Sequence, residues 1–576
     1  MLASKYLFFT SKNIITNNKI DSYYLMTKAG MIKKLSSGIY TWLPTGLKII
    51  KNFKKIIRHE MNNINFIEIL MPIIQPSNIW KTSGRINDYG NELFKISDRN
   101  KKNFFLGPTH EEVITYLINN EIKSYKNLPL NLYQIQVKFR DEIRSRLGVV
   151  RSKEFLMKDG YSFHIDEKSL KKTYNIVLNT YKKIFDLIKL KYYIVKGDNS
   201  FIGGKISHEF HILSNNGEDS IALSKYGHAY NIESVKFFIP KIKLNINTKF
   251  LIKQLIKIDK SVNFEYIAKK LHSTINNIIK IIIIKNTEKK FPLVALLIRS
   301  DYEISISKIE KLNKNIFKPL YILSQKEISH HFKINKYSLG PINLNIPIIA
   351  DYSVVSMINF IIGSNINNKY YININWKRDL PLPENIQDIR KTYNKKFIFD
   401  KKNSIIIKKS IEIAHIFQLG TKYSKLMNTF IQNEKGNKVP LYMGCYGIGV
   451  SRIIASIIEQ NHDINGIFWP SSLLAPFKVA IIPINMYKYN LIKKISFDIY
   501  QKITSIGIEV ILDDRKESPG VMFADIDLIG IPHMIIISNN NIINNNVEYK
   551  FRQTGEQKII SVNNIVDFIS NKEKFN

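Results

Sequence analysis

Near the start of the chain apolar residues recur at helical spacing, and further on they gather in short blocks. From Leu25 to Met61 the pattern reads as helix, turn and helix, punctuated by Ser36-Ser37-Gly38 and Pro44-Thr45-Gly46, with a 3.6-residue period from Leu47 to Met61. Phe66 to Met71 has strand character and ends at Pro72, which has no N–H to give a sheet ladder. Phe104-Phe105-Leu106 and Leu132 to Phe139 also read as strands. The second runs straight into Arg140, so that arginine projects from a rigid sheet.

Between about Tyr226 and Lys402 the composition changes to Lys-Asn-Ile runs, with the apolar run Phe291 to Ile298, and the stretch reads as an inserted domain. The more mixed pattern of the first 225 residues resumes at Ile411, where Glu412 to Thr421 resembles a strand feeding a glycine turn. From Trp469-Pro470 onward the short apolar strands Val479 to Pro483, Val510 to Leu512 and Met534 to Ile537 alternate with helical stretches, the pattern of a separate α/β module. A chain of 576 residues exceeds what one hydrophobic core supports, so several domains are expected.

Composition changes this picture in one respect. Hydrophobic residues at 44% and charged residues at 23% are ordinary for a folded protein, but 85 Lys+Arg against 48 Asp+Glu give a formal net charge of +37. Such a charge suits a polyanionic partner such as nucleic acid. Lys-Asn-Ile richness also follows from AT-rich codons, so charge by itself argues weakly. Cys445 is the single cysteine, which excludes an internal disulfide framework and any multi-cysteine zinc site and suits a reducing compartment. No apolar run approaches the roughly 20 residues of a bilayer span, and Met1 to Thr10 lacks a secretory pattern. A cytoplasmic location with no membrane partner is the expectation.

The candidate chemistry is concentrated in four segments. Phe139-Arg140-Asp141-Glu142, Arg151 and Phe155 put forked cations, carboxylates and a ring within one hairpin-length segment, either a nucleotide site or a surface hairpin with ordinary ion pairs. Thr109 and Glu111 set a hydroxyl and an acid two apart, to face one pocket from an extended loop or to cap a helix with a first-turn acid. Gln418-Leu419-Gly420-Thr421 follows, and then Gly444 to Arg452, a glycine-rich stretch opening a helix that contains Ile453 to Glu459. Cys445 reads as a small packed side chain, and His110, His164, His208 and His415 lack metal-ligand spacing and read as structural.

Taken in order, the segment ending at Pro72, Phe-Arg-Asp-Glu and Gly-Ile-Gly-Val-Ser-Arg resemble the three signature motifs of class II aminoacyl-tRNA synthetases. Gly107 to Glu112, Phe155 to His164 and Phe417 to Ser424 resemble the prolyl-tRNA synthetases of the bacterial type, and the resemblance extends through Asp513 to Asp525. It implies a multidomain α/β and α+β protein. An antiparallel catalytic sheet flanked by helices would occupy 1–225 and 403–469, an inserted α/β editing-like domain 226–402, and an α/β anticodon-binding domain 470–576. It implies activation of L-proline by ATP with Mg2+, transfer to tRNA(Pro), and a homodimer. Arg140 would hold the α-phosphate and the prolyl carboxylate, and Arg452, assisted by Arg151, the γ-phosphate. Phe155 would stack on adenine, with Glu142 at the adenine edge or the terminal adenosine of the tRNA. Gln418 and Thr421 would meet the nucleotide or the adenylate. Thr109 and Glu111 would take the charged ring nitrogen, and Tyr423 would line the proline pocket or simply pack. In the last domain Arg515 and Lys516 would contact the anticodon stem-loop and Phe523 would stack on a base. No metal ligand from the protein is assigned.

Within the insertion, Lys280 and Asp351 match positions implicated in hydrolysing mischarged Ala-tRNA(Pro), but Tyr337 stands where the family has a glycine and Tyr370 where it has a histidine. Added bulk and a lost positive-φ position at Tyr337 lead to the expectation of weakened editing. A sister synthetase for threonine is disfavoured by the lack of a Cys/His metal set, and an inactive RNA-binding relative by the presence of Arg140, Arg151 and Arg452.

Overall fold

The structure is a computed structural model that describes residues 1–11, 21–122, 124–143, 145, 147–197, 203–204, 206–224, 227–231, 250–260, 262–286, 292–312, 320–391, 397–400 and 403–574. The chain divides into two compact units, Met1–Ile221 with Lys408–Asn576, and Ala222–Ile407. The expected boundary residues Tyr226 and Lys402, and Phe291 at the head of the apolar run, lie outside the described residues.

The first unit is organised by an antiparallel run of strands in the order Asn403–Gly420, Tyr442–Gly449, Glu154–His164 and Leu130–Phe139, with Ile67–Glu68 added in parallel at the edge. Ile206–Leu213 pairs with the other side of Asn403–Gly420. The register sets Cys445 opposite both Phe417 and Tyr161, and Gln418 opposite Gly444. Three helices supply much of the adjoining core, Pro44–Asn63, Glu167–Leu187 and Val450–Gln460, through residues such as Phe53, Ile57, Tyr181, Ile184, Ile454 and Ile458. Pro44 begins the first of these, where its missing N–H leaves no helical bond unmade. Asp166 caps the second, its carboxylate accepting from the Ser169 amide at 2.7 Å.

Three expectations change here. The turn between the first two helices is a hairpin, Ile32–Ser36 with Ile39–Trp42, because the two-residue Ser37-Gly38 link places Gly38 at φ +75°. The strand before Pro72 is reduced to Ile67–Glu68. Gly444, Gly447 and Gly449 lie in the strand Tyr442–Gly449 rather than in a loop, and Gly444 leaves room for the Tyr446 hydroxyl, which a Cβ at that position would overlap.

Residues 479–561 of the same unit form the expected α/β module: a five-stranded sheet ordered Val510–Leu512, Val479–Pro483, His533–Ile537, Asn546–Phe551 and Gln557–Ser561, the first three parallel. Its edge is extended by the other end of the chain. Leu2 bridges to Leu512, Ser4 donates to the Asp514 carboxylate from its amide at 2.7 Å and its hydroxyl at 2.6 Å, and Tyr6 meets Phe477 edge-on at 5.1 Å.

The second unit holds a four-stranded sheet, Ile279–Lys285, Leu293–Arg299, Ile348–Asp351 and Asn385–Gln387, and a three-stranded one, Gln254–Lys257, Lys369–Ile374 and Phe360–Gly363. Lys280 Nζ donates to the Ser300 carbonyl at 3.1 Å, and the buried Asp351 accepts from the Ser353 and Ile389 amides at 2.8 and 3.1 Å. Tyr370 is fully buried, and Tyr337 packs edge-on against Phe264 at 5.2 Å. Tyr337 lies in the turn Lys336–Ser338 and is not at positive φ, so the expected backbone restriction is absent and only its bulk remains.

Candidate active site

Seven of the residues singled out in the sequence, Thr109, Glu111, Arg140, Glu142, Arg151, Phe155 and Arg452, line one cavity of about 690 Å³ in the first unit, a volume fit for a small-molecule site. Arg140 follows the strand Leu130–Phe139, and its amide is held by the Lys153 carbonyl at 2.9 Å. Its guanidinium lies 5.2 Å from the Phe155 ring centre, a cation–π arrangement that presents the fork to the cavity. Arg151 donates to Glu142 and to Glu218, each at 2.7 Å. Arg452, in the first turn of Val450–Gln460, donates to the carbonyls of Val150 at 2.9 Å and Glu412 at 2.7 Å, which pins the loop carrying Arg151.

Carboxylates stand beside these cations. Burial pushes Glu412 up, but the bond from His415 at 2.9 Å and the charges of His415, Arg452 and His211 outweigh it and hold Glu412 at about 2. Asp219, on the same cavity, is raised by burial and by Glu412.

The Thr109 and Glu111 wall combines parts of both readings of the sequence, since the two residues face one pocket and Glu111 is a first-turn acid. Glu111 opens the helix Glu111–Glu121 and Thr109 does not cap it; instead the Thr109 hydroxyl donates to Glu111 Oε2 at 2.6 Å. The fully buried Arg85 donates to Glu111 Oε2 at 3.2 Å and to Glu112 at 2.9 and 3.1 Å, and Cys445 Sγ donates to Glu111 Oε1 at 3.1 Å. Burial raises the Glu111 carboxyl, but Arg85 and the bonds from Thr109 and Cys445 bring it below its ordinary value. Burial and the Glu111 charge push the Cys445 thiol well up, so it stays a protonated donor. Asp159, which also lines the cavity, accepts from Tyr161 at 2.7 Å and Gln134 at 2.9 Å and pairs with Lys138 at 2.8 Å. Lys138 also lies 2.7 Å from His110 Nδ1, and burial together with the Lys138 charge lowers His110 to about 4.

Gln418, Thr421 and Tyr423 are not among the residues lining this cavity. Gln418 is buried in its strand, Thr421 precedes the short helix Lys422–Leu426, and Tyr423 is buried with Arg85 5.2 Å over its ring. Lys280 and Asp351 belong to the other unit. In the C-terminal module the Arg515 guanidinium is engaged by Asp513 at 2.8 and 2.7 Å, by Asp525 at 2.9 Å and by the Phe8 ring at 4.5 Å. Phe523 packs against the main core, and Lys516 lies 5.1 Å over the half-exposed ring of Tyr487. Sequence reasoning missed Arg85, Glu112, Lys138, Asp219 and Glu412, and it read His415 as structural although it lines the cavity, stacked on Phe417 at 3.7 Å. The one local signal for Arg85 was its place just after Trp80, with Tyr89 one helical turn on. Among the described residues no group of three or more His, Cys, Asp or Glu is placed to hold a metal ion, and no helix is long and apolar enough to cross a membrane.

Residues 94–461 match the family described as the tRNA synthetase class II core domain (G, H, P, S and T), and residues 478–572 match the anticodon binding domain. Over 582 aligned residues the chain is 49% identical to the proline–tRNA ligases of two strains, Tuc7 and 5A, of Buchnera aphidicola subsp. Acyrthosiphon pisum, with 100% of both chains covered. Its fold is similar to two solved structures of prolyl-tRNA synthetase from Cryptosporidium parvum, each at a TM-score of 0.57 and with 96% of this chain covered. One is complexed with L-proline and AMP (14% identity, 74% of that chain covered), the other with halofuginone and AMPPNP (15%, 78%). With a class II core, an anticodon-binding module and this identity over its full length, the chain belongs to the proline–tRNA ligase family.

Proposed function

We infer that the chain joins L-proline to tRNA(Pro) in two steps. The proline carboxylate attacks the α-phosphorus of ATP, forming prolyl-adenylate and releasing pyrophosphate; the terminal ribose hydroxyl of the tRNA then takes the prolyl group and AMP leaves. Neither step needs a protein nucleophile, so positioning and charge stabilisation carry the rate. The observation that supports this most is the convergence of Arg140, Arg151 and Arg452 on the cavity that Thr109 and Glu111 also line.

Arg140 grips the α-phosphate and the prolyl carboxylate, where charge is redistributed in the transition state. Arg452 and Arg151 hold the γ-phosphate, Phe155 stacks on adenine, and Glu142 lies at its edge. Gln418 and Thr421 serve the nucleotide from beside the cavity, and Tyr423 backs the proline wall through Arg85. Magnesium, when bound, offsets the charge of the ATP phosphates. Asp219 and Glu412 fit it, since a hard cation takes one or two carboxylates beside substrate phosphates.

The domain extents are read as 1–225 and 403–469 for catalysis, 226–402 for the editing-like insertion and 470–576 for the anticodon. Lys280 and Asp351 are retained in the insertion, while the bulk of Tyr337 and the buried Tyr370 favour weakened hydrolysis of Ala-tRNA(Pro). In the last module Lys516 with Tyr487 is the better RNA contact, because Arg515 and Phe523 are engaged within the fold. The exposed apolar side chains of Ile67, Leu70 and Ile74 support a homodimer through this segment. The location is read as cytoplasmic, in keeping with a single buried thiol.

ATP–pyrophosphate exchange across a panel of amino acids tests the central reading. Proline is expected to stimulate exchange above the others, and absence of that preference would overturn it. Deacylation of Ala-tRNA(Pro) at the rate of an intact editing enzyme would sink the reading of the insertion, and a monomer in sedimentation that of the dimer.

A further inference from the structure

A carboxylate offers about four lone-pair positions to donors. Three of those on Glu111 are already taken: Thr109 and Arg85 donate to Oε2 at 2.6 and 3.2 Å, and Cys445 to Oε1 at 3.1 Å. One position remains, on Oε1. The Thr109 hydroxyl has given its only proton to Glu111 and keeps an acceptor face toward the cavity. Asp159, the other carboxylate lining the cavity here, takes Gln134 and Tyr161 on Oδ2 and pairs with Lys138 through Oδ1, so the charge of the one oxygen with a position to spare is already balanced.

Arg85 is fixed more firmly than an ordinary ion-pair partner. It is fully buried, its guanidinium lies 5.5, 5.1 and 5.2 Å from the ring centres of Trp80, Tyr89 and Tyr423, and one nitrogen bridges Glu111 and Glu112. Only a planar, permanently charged fork fits between rings and two acids in this way. Resting on the reading of Thr109 and Glu111 as receivers of the prolyl nitrogen, we propose that Arg85 is a positioning residue for amino-acid specificity. By occupying Glu111 Oε2 it leaves Thr109 and Glu111 with two open acceptors between them, one for each N–H of a secondary ammonium. A primary amino acid brings a third N–H that Thr109 and Glu111 cannot take and for which Asp159 offers only an oxygen already paired with Lys138; a poorly paired N–H in a buried site weakens binding about tenfold. Arg85 thus adds a polar criterion to the size of the pocket.

The test uses the full chain with Arg85→Lys, and Arg85→Met combined with Glu112→Gln so that the buried charge stays balanced. Proline- and alanine-dependent pyrophosphate exchange, KM for ATP and circular dichroism are measured together. In folded variants KM for ATP is expected within about twofold of the parent, kcat/KM for proline about tenfold lower, and the proline-to-alanine ratio of kcat/KM also about tenfold lower. KM for proline should also rise in the variants as pH is lowered from about 7 to 6, because Glu111 without Arg85 takes up a proton more readily; a merely structural arginine would not produce that profile. An unchanged ratio in a folded variant overturns the proposal, and if the double variant does not fold, Arg85→Lys decides alone. Glu111→Gln separates the two levels: if it leaves KM for proline unchanged the underlying reading of Glu111 fails, whereas if it raises KM while the Arg85 variants keep the ratio, only the role of Arg85 fails.

Discussion

His110 and His164 are imidazoles that burial keeps neutral, His110 between Lys138 and the Pro72 carbonyl, His164 between Ser162 and Ser169. Burial, with Lys138 assisting at His110, lowers both to about 4 from an ordinary 6.5. Between those values the unfolded chain binds more protons than the folded one, so stability is complete above pH 6.5 and is lost as pH falls toward 4, by up to roughly 3 kcal/mol for each imidazole. Urea unfolding at pH 7 and pH 4.5 should show this loss, and His164→Asn should flatten part of the slope. Arg140 makes a second case at this scale. Arg140→Ala is expected to lower kcat of pyrophosphate exchange by about 10² to 10³ while the fold is kept; a change below tenfold would remove Arg140 from the chemistry. Arg140 was legible because it closes an apolar strand and belongs to an ordered set of motifs. Arg85 was not, since its meaning lies in Glu111, Glu112 and Tyr423, which only tertiary packing brings to it.

The helix Pro44–Asn63 buries Ile49, Phe53, Ile57 and Met61 on one stripe and leaves Lys51 and Lys55 outside. Phe53→Ala should cost about 3–5 kcal/mol in denaturant unfolding, whereas Lys55→Ala should stay within about 0.5 kcal/mol. In the second unit a Cβ on Gly340 would overlap the Gly363 carbonyl oxygen, so Gly340→Ala forces the two segments apart. The loss should exceed about 2 kcal/mol and appear as an unfolding transition at lower denaturant. Elements with strong periodicity, such as this helix and the strands Leu130–Phe139 and His533–Ile537, were readable from pattern alone. The hairpin Ile32–Trp42 was not, because its short strands carry exposed lysines and only the Gly38 conformation closes the turn. The glycines of Tyr442–Gly449 misled for the opposite reason: they fit a loop pattern but lie in a paired strand.

Across the whole molecule the net charge of +37 has a consequence that divides the two steps of the reaction. Amino-acid activation uses small ligands held in a cavity, while tRNA docking releases counterions. Raising salt from about 50 to 200 mM should therefore raise KM for tRNA by tenfold or more and change KM for proline in exchange by less than about twofold. Equal sensitivity of both would assign the charge to composition rather than to RNA. The class II core and the anticodon-binding module were legible at this scale from motifs, but the joining of residues 2–4 to the last module was not, because no local pattern encodes pairing across 510 residues. That pairing carries a temporal consequence. During synthesis Leu2 and Ser4 are made about 510 residues before their partners Leu512 and Asp514. The ribosome thus releases the segment of Leu2 and Ser4 long before its place exists, and the edge strand Val510–Leu512 must wait for a segment made far earlier.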